Sequence, residues 1–410
     1  MRTRSQRSQR SDGSSALSPM PPVALSSLPE DALYHILKFV DENDDARCRA
    51  ISRSWARLRR VWVLPYPRKE GAGHDPEVLA VVFSPDGSLL AVGAKEHPPV
   101  KLYDVATGEL RRALSRGDEI DKKWNGEHET YKYYPSSLAF TPDGTAIAAG
   151  SGGKICVYNV ETGESSELWR STDQYHSYSE VDSVAFSPDG STLAFCRDDV
   201  AAIIGIGGWV MAPRVLAVWR GLHVDGQRRI VDIVFSPTGS VLAVGIDYVG
   251  VKFFDVAIGQ TRMIIEVEYG VRIYSVAFSS RGTVAMGGGH TVMFYDGSTG
   301  RLQHELRPDW LDGSPSNIYV STLCFSPDGS TVALNGGRRD AYIYDTETGD
   351  SRGVLIRPTQ NIMAAAFSPD GKSIALGESL YLSFRHHSRA ALYDVTTLNL
   401  RRMRRPPPTA

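Results

Sequence analysis

The side chains best suited to chemistry in this chain are arginines, lysines and histidines set in loops. Arg338 and Arg339 are adjacent, and Arg385, His386, His387 and Arg389 crowd a second loop. Paired guanidinium groups recognise phosphate or carboxylate through forked hydrogen bonds. Two neighbouring histidines could start a metal site, but no third ligand stands near them, and an exposed loop is the expectation. The sequence contains neither H-E-x-x-H nor the phosphate-binding G-x-x-x-x-G-K-[ST]. The clusters Gly205-Ile206-Gly207-Gly208 and Gly287–His290 lack the βαβ setting of a dinucleotide site and read as turns. Cys48, Cys156, Cys196 and Cys324 are widely separated, so neither a zinc site nor a disulfide framework is expected. A reducing compartment, cytoplasmic or nuclear, fits that usage. The expectation is a binding protein, not an enzyme, with no cofactor and no metal.

Those loops must be held by something, and the sequence announces it by repetition. Phe-Ser-Pro-Asp-Gly occurs at Phe83–Gly87, Phe186–Gly190, Phe325–Gly329 and Phe367–Gly371, with variants at Phe140–Gly144, Phe235–Gly239 and Phe278–Gly282. Successive phenylalanines stand 42 to 57 residues apart, a period that marks a repeat architecture. In each copy a short apolar strand runs into the Phe. Pro and Asp then set a turn, and Gly takes left-handed backbone. A second strand follows, such as Leu89–Val92 or Val241–Val244, and then a Gly-rich or charged loop. A third strand ends in an aromatic residue: Tyr103, Tyr158, Trp219, Phe254, Tyr295, Tyr344 or Tyr393. The residue after it is usually Asp, which reads as turn-forming scaffold, and a fourth strand such as Leu110–Leu114 completes the unit. Four short strands repeated seven times predict a mainly β protein, a seven-bladed β-propeller over residues 77–404. Leu400–Met403 aligns with Leu110–Ala113, which favours closure of the last blade by the C-terminal strand; Val61–Leu64 is the competing strand.

Across 410 residues the chain is 42% hydrophobic and 22% charged, with a formal net charge of -2. Those proportions suit a large globular core, and no global basic field points to nucleic acid. Residues 1–24 are rich in Arg, Ser, Gln and Pro and are expected to be a disordered basic tail. Residues 64–76 read as a Pro- and Gly-containing linker, and 405–410 as a loose Pro-rich tail. Val200–Val218 is almost wholly apolar, but Pro213, Arg214 and three glycines interrupt it, so it reads as a loop insertion between second and third strands and not as a membrane span.

Residues 25–63 have helical periodicity, a small all-α module. Ser27 and Glu30 form a capping box, and Pro29 is tolerated in the first turn. Leu33, Ile36, Leu37 and Val40 make one apolar stripe; Cys48, Ile51, Trp55 and Leu58 make a second, backed by Arg47, Arg49, Arg53 and Arg57. A unit this small must dock its stripes on something, either the propeller or a separate partner. Periodicity leaves that choice open.

Two resemblances bear on it. The repeat region resembles the WD-repeat propellers, with Tyr-Asp standing where that family has Trp-Asp and without its Gly-His dipeptide. Leu28-Pro29-Glu30-Asp31-x-Leu33-x-x-Ile36-Leu37 followed by Cys48-Arg49-x-Ile51-Ser52-Arg53-x-Trp55-x-x-Leu58 resembles an F-box. That resemblance implies docking on the adaptor and cullin of an SCF-type cullin–RING ubiquitin ligase. Leu28, Pro29, Leu33, Ile36, Leu37, Val40, Ile51 and Trp55 would build the adaptor-facing surface. It also implies that the propeller holds a target protein, acidic or phosphorylated, on the face of its second-to-third-strand loops. Lys95, Trp124, Lys154, Arg338, Arg339, Arg385 and Arg389 are the candidate residues there. The alternative is a WD-repeat scaffold for a multiprotein complex outside ubiquitination.

Overall fold

The computed structural model describes residues 62–63, 77–95, 98–115, 122–124, 127–129, 134–171, 180–206, 214–219, 229–268, 271–289, 291–307, 320–336, 340–354, 361–382 and 385–395. The chain divides into two compact units, Met1–Leu58 and Arg59–Ala410. The first unit, with every residue of the expected adaptor-facing surface, lies outside the described residues, as do the linker and both tails.

The second unit is a seven-bladed β-propeller of four-stranded antiparallel sheets. Blade 1 runs Val78–Phe83, Leu89–Ala94, Val100–Asp104, Leu110–Leu114, and blade 2 runs Ser137–Phe140, Ala146–Ser151, Lys154–Asn159, Ser165–Arg170. Blade 3 runs Ser183–Phe186, Thr192–Arg197, Val200–Gly205, Arg214–Trp219, and blade 4 runs Ile230–Phe235, Val241–Ile246, Gly250–Asp255, Thr261–Glu266. Blade 5 runs Ile273–Phe278, Thr283–Gly288, Thr291–Asp296, Leu302–Leu306, and blade 6 runs Val320–Phe325, Thr331–Gly336, Asp340–Asp345, Ser351–Val354. Blade 7 has Asn361–Phe367, Ser373–Leu382 and Arg385–Asp394, with Trp62–Val63 as its fourth strand. The first strands neighbour one another in a closed cycle, so they line the axis.

Seven hydrophobic clusters hold the ring, one at each blade boundary. Between blades 7 and 1, for example, Val78, Val81 and Phe83 meet Ala375, Ala390 and Leu392. Apolar side chains emerge from both faces of each blade because both are covered, which is why the strands read as continuous apolar runs. The repeat turn closes as its residues dictate. Ser84 Oγ donates to Asp86 (2.6 Å), the Gly87 amide donates to the Ser84 carbonyl (2.9 Å), and Gly87 sits at φ 72°.

Three expectations change. Ring closure is by Trp62–Val63, paired with Leu392 and Ala391, so these two residues belong to the propeller and not to the helical module. One feature of the sequence weighs against a C-terminal closing strand. The counterparts of the turn that would feed it place Gly108, Gly163, Gly259, Gly300 and Gly349 at φ 68–78°, and the chain has Leu398 at that position. A β-carbon there costs roughly 1–2 kcal/mol.

Second, Trp219 ends the fourth strand of blade 3, not the third. Ile204 takes the aromatic position, opposite Leu193, just as Tyr103 stands opposite Leu90, and Gly205 takes the Asp position. The apolar stretch is therefore the third and fourth strands of one blade. Among the described residues no helix is long and apolar enough to cross a membrane.

Third, several glycines assigned to loops end the second strands. A β-carbon on Gly150 would lie 2.6 Å from Val181 of the next blade, and one on Gly245 2.7 Å from Val276. Glycine at this level is what lets neighbouring blades close on each other.

Candidate functional site

Antiparallel strands send the second-to-third-strand loops and the links between blades to one face, the rim, and the Ser-Pro-Asp-Gly turns to the other. Of the sequence-predicted rim residues, the side chains of Lys95 and Lys154 are among those the structure describes. Lys95 is exposed and its Nζ lies 2.7 Å from Glu77, tying the loop of blade 1 to the link before it. Lys154 opens the third strand of blade 2 and is buried, at 3% exposure, so it is not on an open surface. Trp124 stands on a small hairpin, Lys122–Trp124 with Glu127–Glu129, in the link between blades 1 and 2, where only the backbone is described. Arg385 and Arg389 pair opposite Leu382 and Glu378 in the long hairpin of blade 7, again with backbone alone described. Arg338 and Arg339 lie outside the described residues.

The rim has an organisation that sequence reasoning misses. Arg272, in the link into blade 5, reaches back to Asp247 in the loop of blade 4 with Nε at 3.0 Å and a terminal nitrogen at 2.8 Å. The same carboxylate accepts the Ile273 amide at 3.2 Å. The guanidinium carbon lies 5.4 Å from the Tyr248 ring centre and 5.1 Å from that of Tyr274, a cation–π arrangement. Tyr248 is exposed and sits at φ 59°, a strained backbone for a bulky residue. One boundary earlier, Arg229 reaches back to Asp182, with Nε 3.2 Å from the carboxylate and a second, shorter contact from a terminal nitrogen. Burial pushes the Asp182 carboxyl up, against the pull of Arg229. The available signal is local: Arg229 and Arg272 each immediately precede the buried Ile, Ile230 or Ile273, that starts a first strand.

Deeper in, Asp232 of blade 4 joins three blades. It accepts Ser183 Oγ (3.0 Å) from blade 3, and Ser275 Oγ (3.2 Å) and the Val276 amide (3.0 Å) from blade 5, besides its neighbour's amide, Ile233 (2.9 Å). Burial pushes its carboxyl up, opposed by those hydrogen bonds. Ser137 makes the equivalent link between blades 2 and 3, accepting the Val184 amide at 3.0 Å.

None of this is catalytic geometry. Gly349-Asp350-Ser351-Arg352-Gly353 spells G-x-S-x-G, the pattern of a nucleophile elbow. It lies in a strand-to-strand turn and the fourth strand of blade 6, so it lacks the strand-to-helix elbow that exposes a nucleophile. Among the described residues no group of three His, Cys, Asp or Glu side chains is placed to hold a metal ion. Desolvation pushes the thiol of the partly buried Cys324 up to about 12, and Cys156 and Cys196 are buried.

Residues 25–58 match the F-box domain family, and residues 66–97 and 127–159 match the WD domain, G-beta repeat. Among curated proteins the chain is similar to Protein HIR1 of Kluyveromyces lactis, 26% identical over 59% of this chain and 32% of that protein. It is 32% identical to WD repeat-containing protein VIP3 of Arabidopsis thaliana over 29% of this chain and 36% of that protein. It is 27% identical to small ribosomal subunit protein RACK1 of Neurospora crassa, over 35% and 42%. The chain thus spans 32% to 42% of these relatives' lengths. In fold it resembles the β-propeller domain of Cps50 (Swd1) from Myceliophteria thermophila, with a TM-score of 0.62 at 15% identity, covering 81% of this chain and 99% of that one. An F-box and WD repeats on a seven-bladed β-propeller are thus combined in one chain, an arrangement suited to protein–protein interaction.

Proposed function

We propose that this protein is a non-catalytic substrate receptor of an SCF-type cullin–RING ubiquitin ligase. The F-box segment, folded as helices, docks on the adaptor through Leu28, Pro29, Leu33, Ile36, Leu37, Val40, Ile51 and Trp55. The propeller holds the target, and the ligase's other subunits supply the chemistry. One observation carries this reading: an F-box match at 25–58 stands directly before Trp62–Val63, a strand of the propeller's last blade. A module that recruits a ligase and a module that presents loops are therefore joined by very few residues.

Target capture is assigned to the rim. Arg338 and Arg339 grip an acidic or phosphorylated segment, and the Tyr248–Arg272–Tyr274 stack adds an aromatic anchor of the kind enriched at binding hot spots. The competing reading, a WD-repeat scaffold outside ubiquitination, draws on the likeness to HIR1 and RACK1, whose matches span only part of those proteins. Co-purification decides between them. The intact protein should bring down the adaptor and cullin, and the Leu28→Ala/Pro29→Ala variant should not. If the intact protein recovers neither, the scaffold reading replaces this one. Replacing both Arg338 and Arg339 by Ala should abolish target capture while adaptor binding persists.

A further inference from the structure

The turn face, opposite the rim, carries a cleft that departs from the repeat. It opens between blades 2 and 3, with a volume of about 670 Å³, against about 520 Å³ for the corresponding cleft between blades 6 and 7 and about 450 Å³ between blades 3 and 4. Its floor is apolar: Val157, Leu168, Phe186 and Ile206. Its edge carries Asp143 and Asp189, one from each of two adjoining turns. Both carboxylates are exposed and held below the ordinary range by local donors, Thr141 Oγ1 first for Asp143 and Ser187 Oγ first for Asp189. A third acid on the wall, Glu167, is occupied by Arg170.

The cleft between blades 6 and 7 holds a cation of the chain's own at this place. There Arg352 lines the space together with the turn aspartates Asp328 and Asp370, and donates to Asp345. Arg352 stands three residues after Gly349, the left-handed glycine of its turn. At the same offset from Gly108 and Gly259 stand Arg111 and Arg262. Blade 5 has Gln303 three after Gly300, and blade 2 has the small Ser166 three after Gly163, with Asn159 where blade 6 has Asp345. The cation and its acid are both missing, while the two turn carboxylates remain. On the far wall blade 3 contributes Ile206, after Ile204 and Gly205 have replaced the aromatic–Asp pair.

We propose that the cleft between blades 2 and 3 receives an arginine side chain of a partner protein. Its aliphatic stem lies on Leu168, Phe186 and Ile206, and its guanidinium faces Asp143 and Asp189. Arginine suits both halves of the cleft: a long apolar stem, and a planar charge that pairs with carboxylates through forked hydrogen bonds. The site is independent of the ligase reading, since it is on the opposite face from the rim and uses none of its residues.

The test titrates the full chain with acetyl-Gly-Arg-Gly-amide, by calorimetry or by NMR of the peptide. The matching norleucine peptide serves as the uncharged control. The arginine peptide should bind and the norleucine peptide should bind at least about ten-fold more weakly. Ser166→Arg, which supplies in cis the cation that Arg352 supplies between blades 6 and 7, should abolish binding without lowering the melting temperature. Asp143→Asn/Asp189→Asn should weaken it at least about ten-fold. No arginine binding at about 10 mM peptide, the weak end of measurable affinity, overturns the proposal. So does equal binding of the norleucine peptide, or unchanged binding by Ser166→Arg. Adaptor co-purification by Ser166→Arg, measured in parallel, should match that of the natural protein, so failure here is distinguishable from failure of the ligase reading.

Discussion

Arg272 and Asp247 are joined across a blade boundary by two hydrogen bonds to one carboxylate oxygen, at 3.0 and 2.8 Å. Asp247 is buried and Arg272 half exposed, so the pair anchors the start of blade 5 to the loop of blade 4 while leaving a face of the guanidinium between two tyrosines. Removing the arginine leaves a buried carboxylate with the Ile273 amide but without its charged partner. Arg272→Ala should therefore lower stability by about 1–2 kcal/mol, the lower part of the range for a charged hydrogen bond because one partner is half exposed. Arg272→Lys should recover only part of that, since lysine has no fork. Urea denaturation measures both.

Asp232 should be more sensitive. Its carboxylate accepts from Ser183, Ser275 and two amides, and asparagine would turn an N–H toward one of those donors. Asp232→Asn is expected to cost about 1–3 kcal/mol, and Ser183→Ala less, because it removes one donor and leaves three. An unchanged urea midpoint for Asp232→Asn would contradict this account.

Gly150→Ala tests the blade contact directly. The added carbon would lie 2.6 Å from a Val181 methyl, inside a packed boundary, and overpacking of this kind costs about 1–3 kcal/mol. Gly282→Ala is the comparison: its β-carbon meets nothing within 4 Å, but φ is +84°. That change should cost about 1 kcal/mol through backbone conformation alone. Thermal melting should rank the two in that order.

The turn aspartates predict how acid acts. Asp296, Asp328 and Asp345 are lowered from 3.8 to about 2, by Ser298, Ser326 and Arg352 first, respectively. Their folded values lie below their unfolded ones, so the folded state binds fewer protons in that interval. The stability they contribute is fully present above pH 3.8 and is lost as pH falls through about 2. A stability-against-pH curve should fall over that window, and Asp328→Asn should flatten it.

The closing strand makes a further test. Deleting Trp62–Val63 removes both register pairs with blade 7 and should lower the melting temperature. Adding Leu398→Gly to that deletion should recover part of the loss, because it removes the residue that disfavours a C-terminal closing turn. No recovery would mean that something other than Leu398 prevents that closure.

Local chemistry makes the repeat legible. Proline presets one dihedral, aspartate collects nearby amides, and glycine takes the left-handed step, so each turn is written within five residues. Strand patterns around Phe83 or Phe235 are equally plain, because burial on both faces leaves runs of small and β-branched residues. Trp219 misleads because an aromatic residue at roughly the right distance imitates the repeat; only the pairing of Leu193 with Ile204 shows which strand it is in. Asp247 and Arg272 are 25 residues apart and Asp182 and Arg229 are 47 apart, so the local signal that marks the arginines does not name their partners.

Residue spacing carries the architecture and the number of blades, since both rest on patterns within tens of residues, and the F-box segment is legible by its resemblance. Tertiary structure decided which strand closes the ring, which basic side chains reach the surface and where the blades leave a cleft. Those depend on what one blade presents to the next. Closure is seen in the pairing of Trp62 and Val63 with Leu392 and Ala391. Lys154 is lost to burial between strands. The cleft between blades 2 and 3 is lined by Ser166 where the one between blades 6 and 7 is lined by Arg352.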